Sequence, residues 1–221
     1  MKRLVISGII VFVVALLASQ ITQAQGTIYL SNLGQPSTGS HAVGSDSWLA
    51  VPFATGTNTG GYMLNYLQLG MADASGDPSG FTAMLYGDGN FPGGNSLGSN
   101  LCTLAGSASP VTGGIYTYAA SDLTLSPSTL YSIVLTAETP LADGAYQWGF
   151  ADTFSYNPSD GWSGGGGLLT SSDGLSWHPP TTGNLLYAIN ATAVPEPGVL
   201  GLFGLGGVFL AWHRRRATAV S

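Results

Sequence analysis

Residues 25–193 predict an all-β fold, a single jelly-roll-like β-sandwich. Three observations carry that reading. Apolar and polar residues alternate with period two, as in Tyr146, Trp148 and Phe150 against Gln147, Gly149 and Ala151. Apolar patterns of helical period and useful length are absent. Short apolar runs recur between clusters of turn-forming residues, at 74–80, 87–94 and 163–167.

Strands are expected in order along the chain. The first, 27–32, holds Ile28, Tyr29 and Leu30 ahead of the turn at Asn32, Leu33 and Gly34. The run 48–54 is apolar from Trp48 to Ala54 and stops at Thr55 and Gly56. In 62–71, Leu67, Leu69 and Met71 alternate with Tyr66, Gln68 and Gly70. Gly80 and Gly87 bound 81–86, and Gly114 opens 114–119. In 130–137, both faces of Tyr131 to Leu135 are largely apolar, which predicts a central strand between two layers. The alternating 145–151 follows, then 168–171 after a run of glycines, and finally 185–192. Trp148 and Ile133 are expected to be buried, with Trp48 also in the core. About nine strands without a strong internal repeat favour a sandwich.

The charge inventory is unusual. The chain has five Lys plus Arg, namely Lys2, Arg3, Arg214, Arg215 and Arg216, so residues 25–193 have none. Of the eleven acids, only Glu196 lies outside that stretch, which leaves it ten. Binding to nucleic acid is therefore not expected, because no cation is present to neutralise phosphate. Phosphorylated ligands lack their usual Arg or Lys clamp. Lysine-dependent catalysis is impossible there. Stability must come from apolar burial and hydrogen bonds. One cysteine, Cys102, cannot form an intrachain disulfide and reads as a small core residue.

Both ends carry targeting features. Lys2 and Arg3 precede an apolar stretch at 4–17, and Thr22-Gln23-Ala24 offers small residues for cleavage after Ala24. Residues 1–24 are thus expected to be a signal peptide, with signal peptidase as a partner. At the other end, Pro195-Glu196-Pro197 precedes an apolar run at 199–212, followed by Arg214, Arg215 and Arg216. Two prolines hold the residue between them extended. The run is shorter than the roughly 20 residues of an ordinary span. The arginines place its far end in the cytoplasm. Residues 194–221 closely resemble the PEP-CTERM sorting signal of exopolysaccharide-producing Gram-negative bacteria. That resemblance implies export, transient anchoring by a transmembrane helix at about 199–212, and cleavage by an exosortase-type membrane protease. The destination it implies is the cell surface or extracellular matrix.

The chemistry between the ends is sparse. His41 and His178 sit in expected loops and read as solvated, and no zinc spacing is present. No Gly-x-Ser-x-Gly elbow marks a nucleophile. No catalytic residue and no cofactor is expected. Asp73 with Asp77, and Asp88 with Asn90, offer hard oxygens for Ca²⁺, but neither pair fits EF-hand spacing. Trp162 follows Asp160-Gly161, and Trp177 lies four residues after Asp173. A ring beside acids suits sugar recognition: the ring covers C–H faces while carboxylates take hydroxyls. The competing reading folds both rings inward to cap the sandwich.

A second resemblance covers residues 28–190. Ser31-Asn32-Leu33-Gly34, Val51-Pro52-Phe53-Ala54-Thr55-Gly56, the strands 64–69 and 81–88 ending in Leu85-Tyr86-Gly87-Asp88, and the stretch 123–135 resemble the choice-of-anchor R family of bacterial surface ectodomains. It implies a β-rich surface module with no established catalytic activity. Two function classes follow: a structural or interaction protein associated with exopolysaccharide, and a carbohydrate-binding module using Trp162, Trp177, Asp160 and Asp173. A glycan-acting enzyme stands a distant third.

Overall fold

A computed structural model describes residues 26–87, 97–152, 156–164, 167–181 and 184–195. The expected signal peptide at 1–24, the apolar run 199–212, Glu196, Pro197, the Arg cluster, Asp88 and Asn90 lie outside the described residues. Among the described residues fourteen strands run in order: β1 (Thr27–Ser31), β2 (Gly39–Val43), β3 (Trp48–Ala54), β4 (Tyr62–Gly76), β5 (Thr82–Tyr86), β6 (Asn100–Thr103), β7 (Gly114–Leu125), β8 (Leu130–Thr136), β9 (Gly144–Ala151), β10 (Ser163–Gly164), β11 (Leu168–Ser171), β12 (His178–Thr181), β13 (Asn184–Leu185) and β14 (Tyr187–Ala193). Among the described residues there is no α-helix, and none long and apolar enough to cross a membrane.

All the pairings are antiparallel and form two sheets. Strands β2 to β9 make a jelly roll by themselves. One of its sheets runs β2-β9-β4-β7, the other β3-β8-β5-β6. The chain changes sheet at every step except from β5 to β6, as two Greek keys folded together require. The remaining strands extend this frame. β10, β11 and β12 widen the second sheet beyond β3. β14 enters the first sheet where β9 parts from β4: β4 pairs with β9 over Met71–Gly76 and with β14 over Tyr62–Leu69. β1 then covers the other edge of β14.

The sequence pattern explains the layers. Leu64, Leu67, Leu69 and Met71 of β4 and Tyr146 and Trp148 of β9 point inward, where they meet Leu49, Val51 and Phe53 of β3 and Ile133 and Leu135 of β8. Trp148 and Ile133 are fully buried, as expected. The Trp148 indole donates to the Leu186 carbonyl at 3.0 Å, and the Gly70 amide donates to the same oxygen at 2.9 Å. That carbonyl therefore ties β4, β9 and β14 together where they diverge. The second sheet is apolar on both faces, as the run in β8 predicts. Its outer face carries a second cluster of Ala50, Met84, Val134, Leu169 and Trp177, with Trp48 half-buried against it.

Strand boundaries depart from the sequence expectation in consistent ways. β4 runs past Met71 through an irregularity between Ala72 and Ser75 opposite β9, and β7 runs past Ala119 because a bulge between Leu64 and Tyr66 breaks the period while pairing continues. Asp122, at φ 52°, lies in the β7 half of that bulge. β2, β6, β10 and β12 carry too few apolar residues to stand out in sequence, and neighbouring strands hold them in place. His41 and His178 consequently lie in strands rather than loops. The His41 ring packs 4.8 Å from Phe150, and His178 is exposed on β12. Cys102 is half-buried in β6, and burial pushes its thiol pKa up.

Candidate functional site

One end of the sandwich collects the features that sequence reading scattered along the chain. β14 finishes at Ala193, opposite Tyr62 at the start of β4. The next residue is clamped. The Val194 amide donates to the Gly61 carbonyl at 3.0 Å. The Asn58 side-chain amide donates to the Gly61 carbonyl at 2.6 Å and to the Val194 carbonyl at 3.0 Å. Gly61 takes φ 77°, a conformation that suits glycine, and a Cβ on Gly60 would collide with the Val194 carbonyl. Pro195 is exposed and is the first residue beyond this clamp.

An aromatic stack lies under the clamp. The Trp162 ring is parallel to Tyr29 at 5.1 Å and to Phe53 at 5.9 Å, and meets Tyr62 edge-on at 5.0 Å. The backbone forces it inward. Asp160 at φ 52° and Gly161 at φ 76° turn the chain, and the Trp162 amide closes the turn on the Ser159 carbonyl at 3.1 Å. Asn157 and Ser159 donate to the Ser31 and Tyr29 carbonyls, both at 2.8 Å, so the segment runs along the free edge of β1. Gly56 makes room for it: a Cβ there would stand 2.9 Å from the indole. Burial, then the nearby Asp160 charge, pushes the Tyr29 hydroxyl pKa up.

The chain enters at the same end. Thr27 pairs with Ala191, and the Gly26 carbonyl accepts from the Asn190 side chain at 2.9 Å. Asn65 in turn donates to the Asn190 side-chain oxygen at 2.8 Å.

These positions correct the candidate sugar site. Trp162 and Trp177 are each 2 % exposed, so neither presents a stacking face. They lie in different clusters, Trp162 between the sheets and Trp177 over the outer face of the second. The physical reason is size: an indole gains more by sealing an open end of the core than by staying in water. Asp173 is exposed but occupied. Its carboxylate accepts from the Leu175 and Ser176 amides at 2.8 and 3.0 Å and from the Ser171 hydroxyl at 3.0 Å. The Ser176 amide first, then Leu175 and Ser171, hold its pKa below the ordinary value. It builds the turn that feeds Trp177 inward. Asp160 is exposed beside a buried ring rather than an open one.

Of the calcium candidates, Asp73 is likewise used locally. Asp73 accepts from the Gly113 amide at 2.7 Å, and Asp77 lies in the turn after β4, its amide on the Asp143 carbonyl at 3.4 Å. Among the described residues, no three His, Cys, Asp or Glu side chains gather as a metal site would need. A groove of about 330 Å³ crosses the outer face of the first sheet. Gly70 and Gly149 lie at its floor, with Leu33, Ile115 and Leu186 around it and, among the described residues, no charged side chain in its lining.

What leaves the clamp decides the function of this end. Residues 193–216 match the family described as the PEP-CTERM protein-sorting motif. The chain carries a PEP-CTERM sorting motif. The motif marks an exported protein, anchored by its C-terminus and sorted to the cell surface through an exosortase. No curated protein and no solved structure matches the chain. The PEP-CTERM match begins on the last residue of β14, so folded body and sorting signal abut with no linker. Sequence reading found Pro195 but missed Asn58, Gly61 and Tyr62. Thr57 to Gly61 shows only as a turn, and Asn58 lies 136 residues before the Val194 carbonyl it holds.

Proposed function

We propose that the protein is a non-catalytic structural or interaction component of the cell surface or extracellular matrix, associated with exopolysaccharide. The observation that supports this most directly is the PEP-CTERM motif, issuing from the final strand of a jelly roll. The resemblance of residues 28–190 to choice-of-anchor R ectodomains points the same way. Signal peptidase removes residues 1–24, and the exosortase removes the segment beyond the Pro-Glu-Pro region. The ten acids and absent cations of residues 25–193 leave an anionic body. Such a body contacts polysaccharide through hydroxyl hydrogen bonds or bridging divalent cations, not through direct ion pairs with acidic sugars.

The test is recovery of the protein from its native host, with and without exopolysaccharide synthesis. The expected result is matrix-bound protein whose intact mass lacks Arg214 to Arg216. A surface protein that retains those arginines would remove the processing claim. Unchanged surface retention in the polysaccharide-deficient host would remove the matrix association.

A further inference from the structure

We propose that before the sorting cut the sandwich stands upright on the bilayer, resting on the end from which both termini leave. The inference depends on the C-terminal segment being membrane-inserted, and it adds an orientation and a contact surface.

The tether is short. Among the described residues, Val194 is the last one hydrogen-bonded into the body, and the apolar run begins at residue 199. The four residues between, Pro195 to Gly198, reach roughly 14 Å when extended. The two prolines among them restrict coiling and looping back. The N-terminal connection leaves beside it. Thr27 is paired with Ala191, so β1 starts where β14 ends, about one strand spacing of 4.8 Å away. A precursor still holding both apolar segments is therefore pinned twice at one end.

The loops of that end belong together. The Ser128 amide donates to the Gly56 carbonyl at 2.8 Å, the Thr55 amide to the Thr129 carbonyl at 3.0 Å, and the Val194 amide to Gly61. Segments 55–61, 126–129 and 157–161 are Gly, Ser, Thr, Asn and Pro, with Asp160 as their single charge. Asp122, in the bulge near Leu64, and Asp152, just past β9, are further described acids of this half, set back from its tip.

The opposite end is acidic. The Asp46 carboxylate accepts from the Leu141 amide at 2.9 Å, and Ser45 donates to the Thr139 carbonyl at 2.9 Å. Asp77 meets Asp143, and the Glu138 amide donates to the Ser79 carbonyl at 3.0 Å. Asp173 turns beside Gly174, which packs on Trp48 at the start of β3. Asp46, Asp77, Glu138, Asp143 and Asp173 thus crown the opposite end, roughly 33 Å away along the ten residues of β3 and β8 that separate the Ser45–Thr139 contact from the Thr55–Thr129 contact.

The two ends therefore meet an anionic bilayer differently. Upright, the five acids sit about three Debye lengths from the lipid and their repulsion is largely screened, since that length is about 10 Å at 0.1 M salt. Lying on either sheet brings the acidic crown down to the headgroups. The short tether and the charge asymmetry select the same pose.

The test uses the full chain with Cys102→Ser, reconstituted in vesicles of phosphatidylethanolamine and phosphatidylglycerol. Nitroxide labels are placed on Thr57→Cys or Thr59→Cys at the exit end and on Ala142→Cys at the acidic end; all three positions are exposed. Relaxation by a lipid-anchored nickel chelate reports closeness to the headgroups. The expected result is several-fold stronger relaxation at Thr57 and Thr59 than at Ala142. Equal relaxation at both ends, or the reverse order, overturns the upright pose while leaving membrane anchoring intact. No relaxation at any label means that the chain is not inserted, which overturns both the pose and the anchoring beneath it. Circular dichroism of each labelled chain confirms that the fold is retained.

Discussion

Replacing Trp162 separates a ring that recognises sugar from a ring that closes the core. The indole is 2 % exposed and held by three aromatic contacts, to Tyr29, Phe53 and Tyr62. Trp162→Ala empties that space, and truncations of this kind cost about 3–5 kcal/mol. The indole N–H has no partner among the described residues, so no hydrogen bond adds to the loss. Against a total stability of about 5–15 kcal/mol, this is a large fraction. For a domain of this size it lowers Tm by roughly 2–4 °C per kcal/mol. Trp162→Phe keeps a ring between Tyr29 and Phe53 and discards the orphan donor, so it should cost clearly less than Trp162→Ala. Urea unfolding of residues 25–195, followed by near-ultraviolet circular dichroism, measures both. An alanine variant that folds normally and loses less than about 1 kcal/mol would show that the ring is not part of the core, and the account of this end would fall with it.

Two further outcomes follow from the same geometry. Asn58→Ala removes the donor to the Gly61 and Val194 carbonyls and should cost about 1–2 kcal/mol, with faster hydrogen exchange at the Val194 amide; unchanged exchange would show that the clamp does not hold the tail. Asp173 has its folded pKa depressed, so its contribution to the β11–β12 turn is present above the unfolded value of about 3.9 and is lost as pH falls through the lower folded value. The amide shifts of Leu175 and Ser176 should therefore titrate with a midpoint below about pH 3.9 and stop titrating in Asp173→Asn. A midpoint at or above the ordinary value would contradict the turn described here.

Period-two alternation and turn chemistry determined the all-β class, because they act over neighbouring residues. The same locality made β3, β8, β9 and β11 legible and concealed β2, β6 and β12, which owe their place to the strands beside them. The bulge between Leu64 and Tyr66 hid the full length of β7, and the irregularity between Ala72 and Ser75 that of β4. The PEP-CTERM motif was legible for a related reason: a contiguous signal that a protease reads as a linear segment must be written in consecutive residues. The charge balance was fixed by composition alone. Only the tertiary structure decided where each ring and acid faces. Trp162 and Trp177 carry the same local signature, an indole after an Asp-Gly turn, whether they point out to a sugar or in to a core. The direction is set by Tyr29, Phe53 and Gly56 around one and by Ala50 and Val134 beneath the other. Likewise, no local pattern announces that Asn58 holds Val194, or that residues 26 and 194 leave the body side by side. Those facts depend on β14 inserting between β1 and β4, a pairing of segments that the chain separates by more than a hundred residues.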